Sequence, residues 1–141
     1  MSSPSKTPGE AAAVRIPERF GDLLTTRAVA IIATLGRTGA PQQTPIWFVW
    51  DGEHVRFSLV EGRQKLRNLR RDPRVAVTII DPAQPTRYVE LRGEVTELQP
   101  DPEQELEKAA AIKYAGEWTE VEPGVPRFAA TLTPSRITSQ G

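Results

Sequence analysis

The apolar positions of this chain change period several times, and each change marks an element. Ile16, Phe20, Leu23 and Leu24 recur at helical spacing, which predicts a short helix over 17–24 with Pro17 at its first position. Residues 28–35 (AVAIIATL) form a compact apolar run of strand length, followed by turn chemistry over 36–41. Residues 42–50 (QQTPIWFVW) read as a second strand, apolar on both faces. Pro45 cannot donate to a ladder, so this strand is expected to be interrupted or bulged beside Thr44. Asp51-Gly52 is a hairpin signal, and Val55, Phe57 and Leu59 alternate through a third strand over 54–60.

The period then becomes helical. Residues 62–71 (GRQKLRNLRR) carry Leu66 and Leu69 as an inward stripe, and Pro73 stops the helix. A fourth strand is predicted over 74–81. A fifth, over 87–98, sets Val89, Leu91, Gly93 and Val95 against a wet face, with Gly93 marking a bulge or a close backbone approach. Residues 102–114 read as a helix with Asp101 as its N-cap, and 115–126 as a polar loop holding Trp118. Residues 127–133 form a sixth strand, and 134–141 a short polar end. Six mostly antiparallel strands with short flanking helices, in so short a chain, are best closed into a barrel, which removes exposed edges.

Composition narrows the chemistry. The chain has 141 residues and no cysteine, which excludes disulfides, thiolate metal sites and a catalytic thiol. His54 is its one histidine, so neither a His-rich metal centre nor a Ser-His-Asp triad is expected, and no metal is assigned. Acidic and basic residues balance at 18 each, against a bulk-charge case for nucleic acid or membrane partners. Residues 1–15 are rich in Ser, Pro and Gly and lack the apolar segment of a secretory signal. They are expected to be a disordered tail before one domain over 16–141, and the protein is expected in the cytoplasm.

Two stretches can carry chemistry. In 58–73 (SLVEGRQKLRNLRRDP) a glycine and a basic helix directly follow a strand. Arg63, Arg67, Arg70 and Arg71 lie on one side of the leucine stripe, Lys65 and Asn68 on the other. First-turn amides have no partner inside a helix and the dipole favours an anion there, so Arg63 and Lys65 can close over a phosphate. The competing reading is a solvated basic face. Against it, basic residues at a helix N-terminus oppose the dipole by roughly 0.3–1 kcal/mol each. In 39–50 (GAPQQTPIWFVW), a bulge at Pro45 would turn backbone groups toward a planar heterocycle, while Trp47, Phe48 and Trp50 serve equally well as core or dimer-interface residues. No side chain is singled out as a catalytic acid, base or nucleophile.

Together, G-x-P-Q-x-T-P-I-W-F, the Asp-Gly hairpin, a strand bearing Ser58 and R-x-K-x-R-N-L-R-R-D-P-R-V resemble the pyridoxamine-phosphate-oxidase-like split β-barrel superfamily. Within it the closest similarity is to the coenzyme F420-dependent reductases of actinobacteria. The resemblance covers roughly residues 20–98 and implies a split β-barrel of the FMN-binding-protein type and a homodimer with cofactor in a groove between subunits. It further implies that Arg63 and Lys65 bind the cofactor phosphate with Arg67 and Asn68 near it. Gln43, Thr44, Pro45 and Trp47 would border the rings, and Ser58 would lie at the groove. The expected activity is hydride transfer from reduced F420 to an electron-poor small molecule. The alternatives are an FMN-dependent oxidoreductase of the same fold and a non-catalytic cofactor or tetrapyrrole binder.

Overall fold

The computed structural model describes residues 14–141. The tail expected over 1–15 therefore lies, apart from Val14 and Arg15, outside the described residues. A 3-10 turn, Glu18–Phe20, leads into α1 (Gly21–Thr25), and together they replace the single helix expected over 17–24. Then follow β1 (Val29–Leu35), β2 (Pro41–Ile46), β3 (Val49–Trp50), β4 (Val55–Val60), α2 (Gln64–Arg71), β5 (Arg74–Ile80), β6 (Tyr88–Pro100), α3 (Glu105–Ala115) and β7 (Arg127–Gln140). All strand pairs are antiparallel, in one sheet ordered β2-β1-β5-β6-β7-β4-β3.

The order of the strands explains the split barrel. β2 bonds only to β1, and β3 only to β4. The two are consecutive in the chain, so residues 41–50 run from one edge of the sheet to the other and close it. The interruption falls at Trp47–Phe48, two residues beyond the position expected at Pro45. Pro45 stays in register opposite Ile31 because β2 is an edge strand, where a missing N–H is tolerated. Phe48 forces the break: its side chain is fully buried in the barrel core, beside Ile32, Phe57 and Leu59.

No strand fills the seam between β2 and β4, and α2 packs there, against β1 and β4. Its stripe, Leu66 and Leu69, enters the core. α3 lies over β3 and β4. It begins three residues later than the pattern suggested, after Gln104 in the left-handed region (φ 56°). Asp101 nevertheless caps it from that distance, its carboxylate accepting from the Glu105 and Leu106 N–H groups at 3.1 and 3.0 Å. The polar end expected over 134–141 is instead the second half of β7, paired with β6 as far as Tyr88–Gln140. Pro134 masks this continuation in the sequence. It sits opposite Gly93 at a register shift, where its missing donor breaks no regular ladder.

Candidate cofactor site

Gly62, at φ 93°, turns the chain from β4 into α2, a conformation glycine adopts without steric cost. Arg63 is the extended N-cap residue, and no side chain caps the helix. Its first turn contains no acidic residue. The amides of Gln64, Lys65 and Leu66 therefore meet the dipole's positive end without an intrahelical acceptor.

Lys65 projects from this turn into the seam and donates to Thr44 Oγ1 at 3.1 Å. Burial holds its ammonium below the usual lysine range, and the nearby Arg63 charge acts in the same direction. Among the described residues no carboxylate lies within ion-pair distance of it. The arginines are placed differently. Arg70 binds Glu61 through two nitrogens at 2.8 and 3.0 Å, and holds that carboxyl below its ordinary value. Arg67 donates to the Gly62 carbonyl and to Gln64, both at 2.7 Å. Arg71 donates to the Leu35 carbonyl at 3.1 Å, and Arg63 pairs with Glu122 at 2.6 Å. Most of the basic face is thus committed to structure, and Lys65 is the cation left facing the seam.

Asn68 lies behind it, fully buried. Its amide donates to Thr34 Oγ1 at 3.0 Å and Gln42 Oε1 at 3.2 Å, and its oxygen accepts from Gln64 at 2.7 Å and Arg71 at 3.0 Å. Asn68 therefore locks α2 to β1 and β2. On β2, Thr44 faces inward opposite Ile32, while Gln43 and Pro45 lie on the outer, exposed face. Trp47 follows at the strand break, 44% exposed, its ring stacked on Tyr114 at 5.6 Å with planes 3° apart. Ser58 stands on β4 opposite Ala129, on the face away from Phe57 and Leu59. Among the described residues its buried hydroxyl has no partner. The fold thus gathers Thr44, Arg63, Lys65, Arg67 and Asn68 at one helix end, with Trp47 along the same seam. No hydrogen bond joins Ser58 to them.

Two residues that brace the break at Trp47–Phe48 carry no signal in the sequence, where they are simply the end of a helix. Lys113 donates to the Phe48 and Leu24 carbonyls at 3.0 and 3.2 Å, with its ammonium 3.7 Å from the Phe48 ring centre. Tyr114 donates to the Ala28 carbonyl at 2.8 Å. They pin the strand break from outside. Burial lowers Lys113 from 10.5 to about 8 and raises Tyr114 from 10.0 to about 12. Between about pH 8 and 10.5 the unfolded chain alone holds the lysine proton, so this group adds stability as pH rises. Above 10.0 the unfolded chain alone loses the tyrosine proton, so that contribution declines toward about pH 12. Thermal midpoints of wild type and Lys113→Met should therefore converge or cross in favour of wild type between pH 8 and 10. A difference independent of pH over that interval would remove Lys113 as the cause.

The sequence profile of the pyridoxamine 5'-phosphate oxidase family matches residues 16–140. This chain belongs to that family. Membership in the pyridoxamine 5'-phosphate oxidase family supports a flavin-type oxidoreductase and agrees with the split barrel. An F420 reductase of known structure is 36% identical, the match covering 89% of this chain and 100% of that one with a TM-score of 0.81. Two more distant structures share the fold. A conserved hypothetical protein of Mycobacterium tuberculosis, Rv2991, is 24% identical over 96% of this chain and 89% of its own, with a TM-score of 0.71. General Stress Protein 26 of Bacillus anthracis is 15% identical over 86% and 91%, with a TM-score of 0.62. Among the described residues, no helix is long and apolar enough to cross a membrane.

Proposed function

We propose that this protein is a coenzyme F420-dependent reductase acting on an electron-poor small molecule. One observation carries the assignment: Lys65, half-buried and, among the described residues, without a counter-charge, beside an N-terminus of α2 that none of their side chains caps. A cation held in that setting is stabilised by an anion that meets the ammonium and the helix amides together. The 36% identity to an F420 reductase favours the deazaflavin over FMN. The residues fit such a group. Arg63 and Lys65 hold the phosphate, with Arg67 fixing the preceding turn and Asn68 fixing the helix. Thr44 and Trp47 would border the ring system from the seam, Gln43 and Pro45 would reach it only from the outer face of β2, and the Ser58 hydroxyl, without a partner among the described residues, offers a further donor.

When bound, reduced F420 supplies a hydride from its C5 position. The protein's contribution is to hold and orient two planar partners and to limit water between them. Trp47, braced by Tyr114, gives a flat apolar surface for that purpose. We assign no side chain as proton donor. The working unit is proposed to be a homodimer, with a second copy completing the groove. The partly exposed apolar outer face of β1, where Val29 is 43% exposed, favours this.

The test is a fluorescence titration with oxidised F420 and with FMN, paired with sedimentation equilibrium. Tighter binding of F420 to a dimer is expected. Preference for FMN would make the protein an FMN-dependent member of the family, and binding of neither would overturn the assignment. Binding without hydride transfer to any test acceptor would leave a cofactor carrier.

A further inference from the structure

We propose that Glu122 is a built-in competitor for the anion at the N-terminus of α2, and that it sets which anions the site admits. The proposal rests on the functional reading above, in that the anion it opposes is a cofactor phosphate. Glu122 lies 59 residues from Arg63 in sequence, yet its carboxylate accepts from the guanidinium at 2.6 Å. Arg63 is the N-cap residue of a helix with no acid in its first turn, so Glu122 brings a negative charge onto the N-cap side chain from a distant loop, while the nearby Glu61 carboxylate is taken up by Arg70 and the Gly62 N–H.

Three features mark the contact as displaceable. The pair is open to solvent, with side-chain exposures of 61% and 37%, so a ligand can reach it and its strength is modest. Glu122 adopts φ 55°, a left-handed conformation that residues other than glycine rarely hold, and Gly116 and Gly124 flank it at φ 81° and 87°. Among the described residues, this is the one ion pair between loop 115–126 and the rest of the chain. Arg127 holds the Val121 carbonyl at 3.2 Å, and the Val125 N–H donates to the Glu122 carbonyl at 3.2 Å. Motion on release is therefore confined to the turn 122–125.

Glu122 satisfies Arg63 alone and leaves Lys65 unpaired. A phosphate group reaches Arg63, Lys65 and the helix amides together, and it repels the carboxylate. Weak monovalent anions such as chloride or acetate gain too little to displace it. Glu122 thus acts as a threshold in favour of phosphate esters, and the turn 122–125 loosens when one binds.

Glu122→Gln removes the competing charge and keeps the side chain's shape. It should bind oxidised F420 about two- to fivefold more tightly, the scale of an exposed ion pair. Glu117→Gln, the same charge change at an exposed position of the same loop, should bind as wild type does. Inorganic phosphate is a second probe, independent of any cofactor. It should speed amide exchange at Val125 in the wild type, whereas Glu122→Gln should exchange quickly at Val125 with or without it. Equal or weaker F420 binding by Glu122→Gln would overturn the proposal, as would a wild-type Val125 amide indifferent to phosphate. A phosphate response at Val125 in a protein that binds neither F420 nor FMN would support the competitor and overturn only the cofactor assignment.

Discussion

Gly93→Ala should lower the thermal midpoint by about 10 °C, a loss of about 3 kcal/mol at this chain length. A Cβ at residue 93 would lie 2.1 Å from the Thr133 carbonyl oxygen and 2.8 Å from Pro134 Cα. Both are backbone atoms of the neighbouring strand, so no side chain can swing aside. The clash falls at the register shift where β6 and β7, the two longest strands, cross from one half of their ladder to the other. Relief requires moving one half against the other, which disturbs Val95–Leu132 on one side and Leu91–Ile137 on the other. Gly39→Ala is the control. Gly39 has a positive φ of 87° with open space around it, so that substitution carries only backbone strain, about 1 kcal/mol. Scanning calorimetry on both variants decides the matter. A Gly93→Ala midpoint within about 2 °C of wild type would mean that the bulge can absorb a methyl group.

Lys65→Ala should weaken F420 binding about tenfold to a hundredfold, because a charge-assisted contact with a held phosphate contributes roughly 1.5–3 kcal/mol. Stability should hold or rise slightly. The wild-type ammonium is half-buried without a counter-charge, and its one polar partner among the described residues is the Thr44 hydroxyl. High salt should weaken the wild type more than the variant, since screening acts on the contact the variant lacks. Arg71→Ala should show the opposite pattern. Arg71 holds the Leu35 carbonyl and the Asn68 oxygen, so its loss lowers stability with little effect on binding. Titrations of both variants at low and high salt, beside their thermal midpoints, separate the two roles. If Lys65→Ala binds like wild type, the phosphate lies elsewhere and the basic turn is only a solvated face.

Much of the architecture was legible in local patterning. Val55, Phe57 and Leu59 alternate and do point into the core, as do Val89 and Leu91. Leu66 and Leu69 form the buried stripe of α2. Gly93 within an alternating strand signalled the close approach found there. Local signals misled where a distant partner overruled them. Pro45 suggested a break that an edge strand did not need, and Pro134 hid half of β7 because β7 itself bulges there, with Ser135 as the extra residue between the Arg92–Arg136 and Gly93–Pro134 pairs. The basic run of 63–71 could not be sorted from sequence. Which arginine meets Glu61, Glu122 or a strand carbonyl depends on elements that pack only in the folded chain.

By itself the sequence determined the alternation of strands and helices, the glycine turn into a basic helix, and the family. Each depends on contacts within a few residues or on a pattern readable along the chain. Tertiary structure alone decided that residues 41–50 bridge both edges of the sheet, because Phe48 must reach a core built from five other strands. It also brought Tyr114 beneath Trp47, Lys113 onto the Phe48 carbonyl and Glu122 onto Arg63. These pairs are separated by 59 to 67 residues. No local rule relates such positions, and only burial of the shared core and satisfaction of the carbonyls at the strand break draw them together.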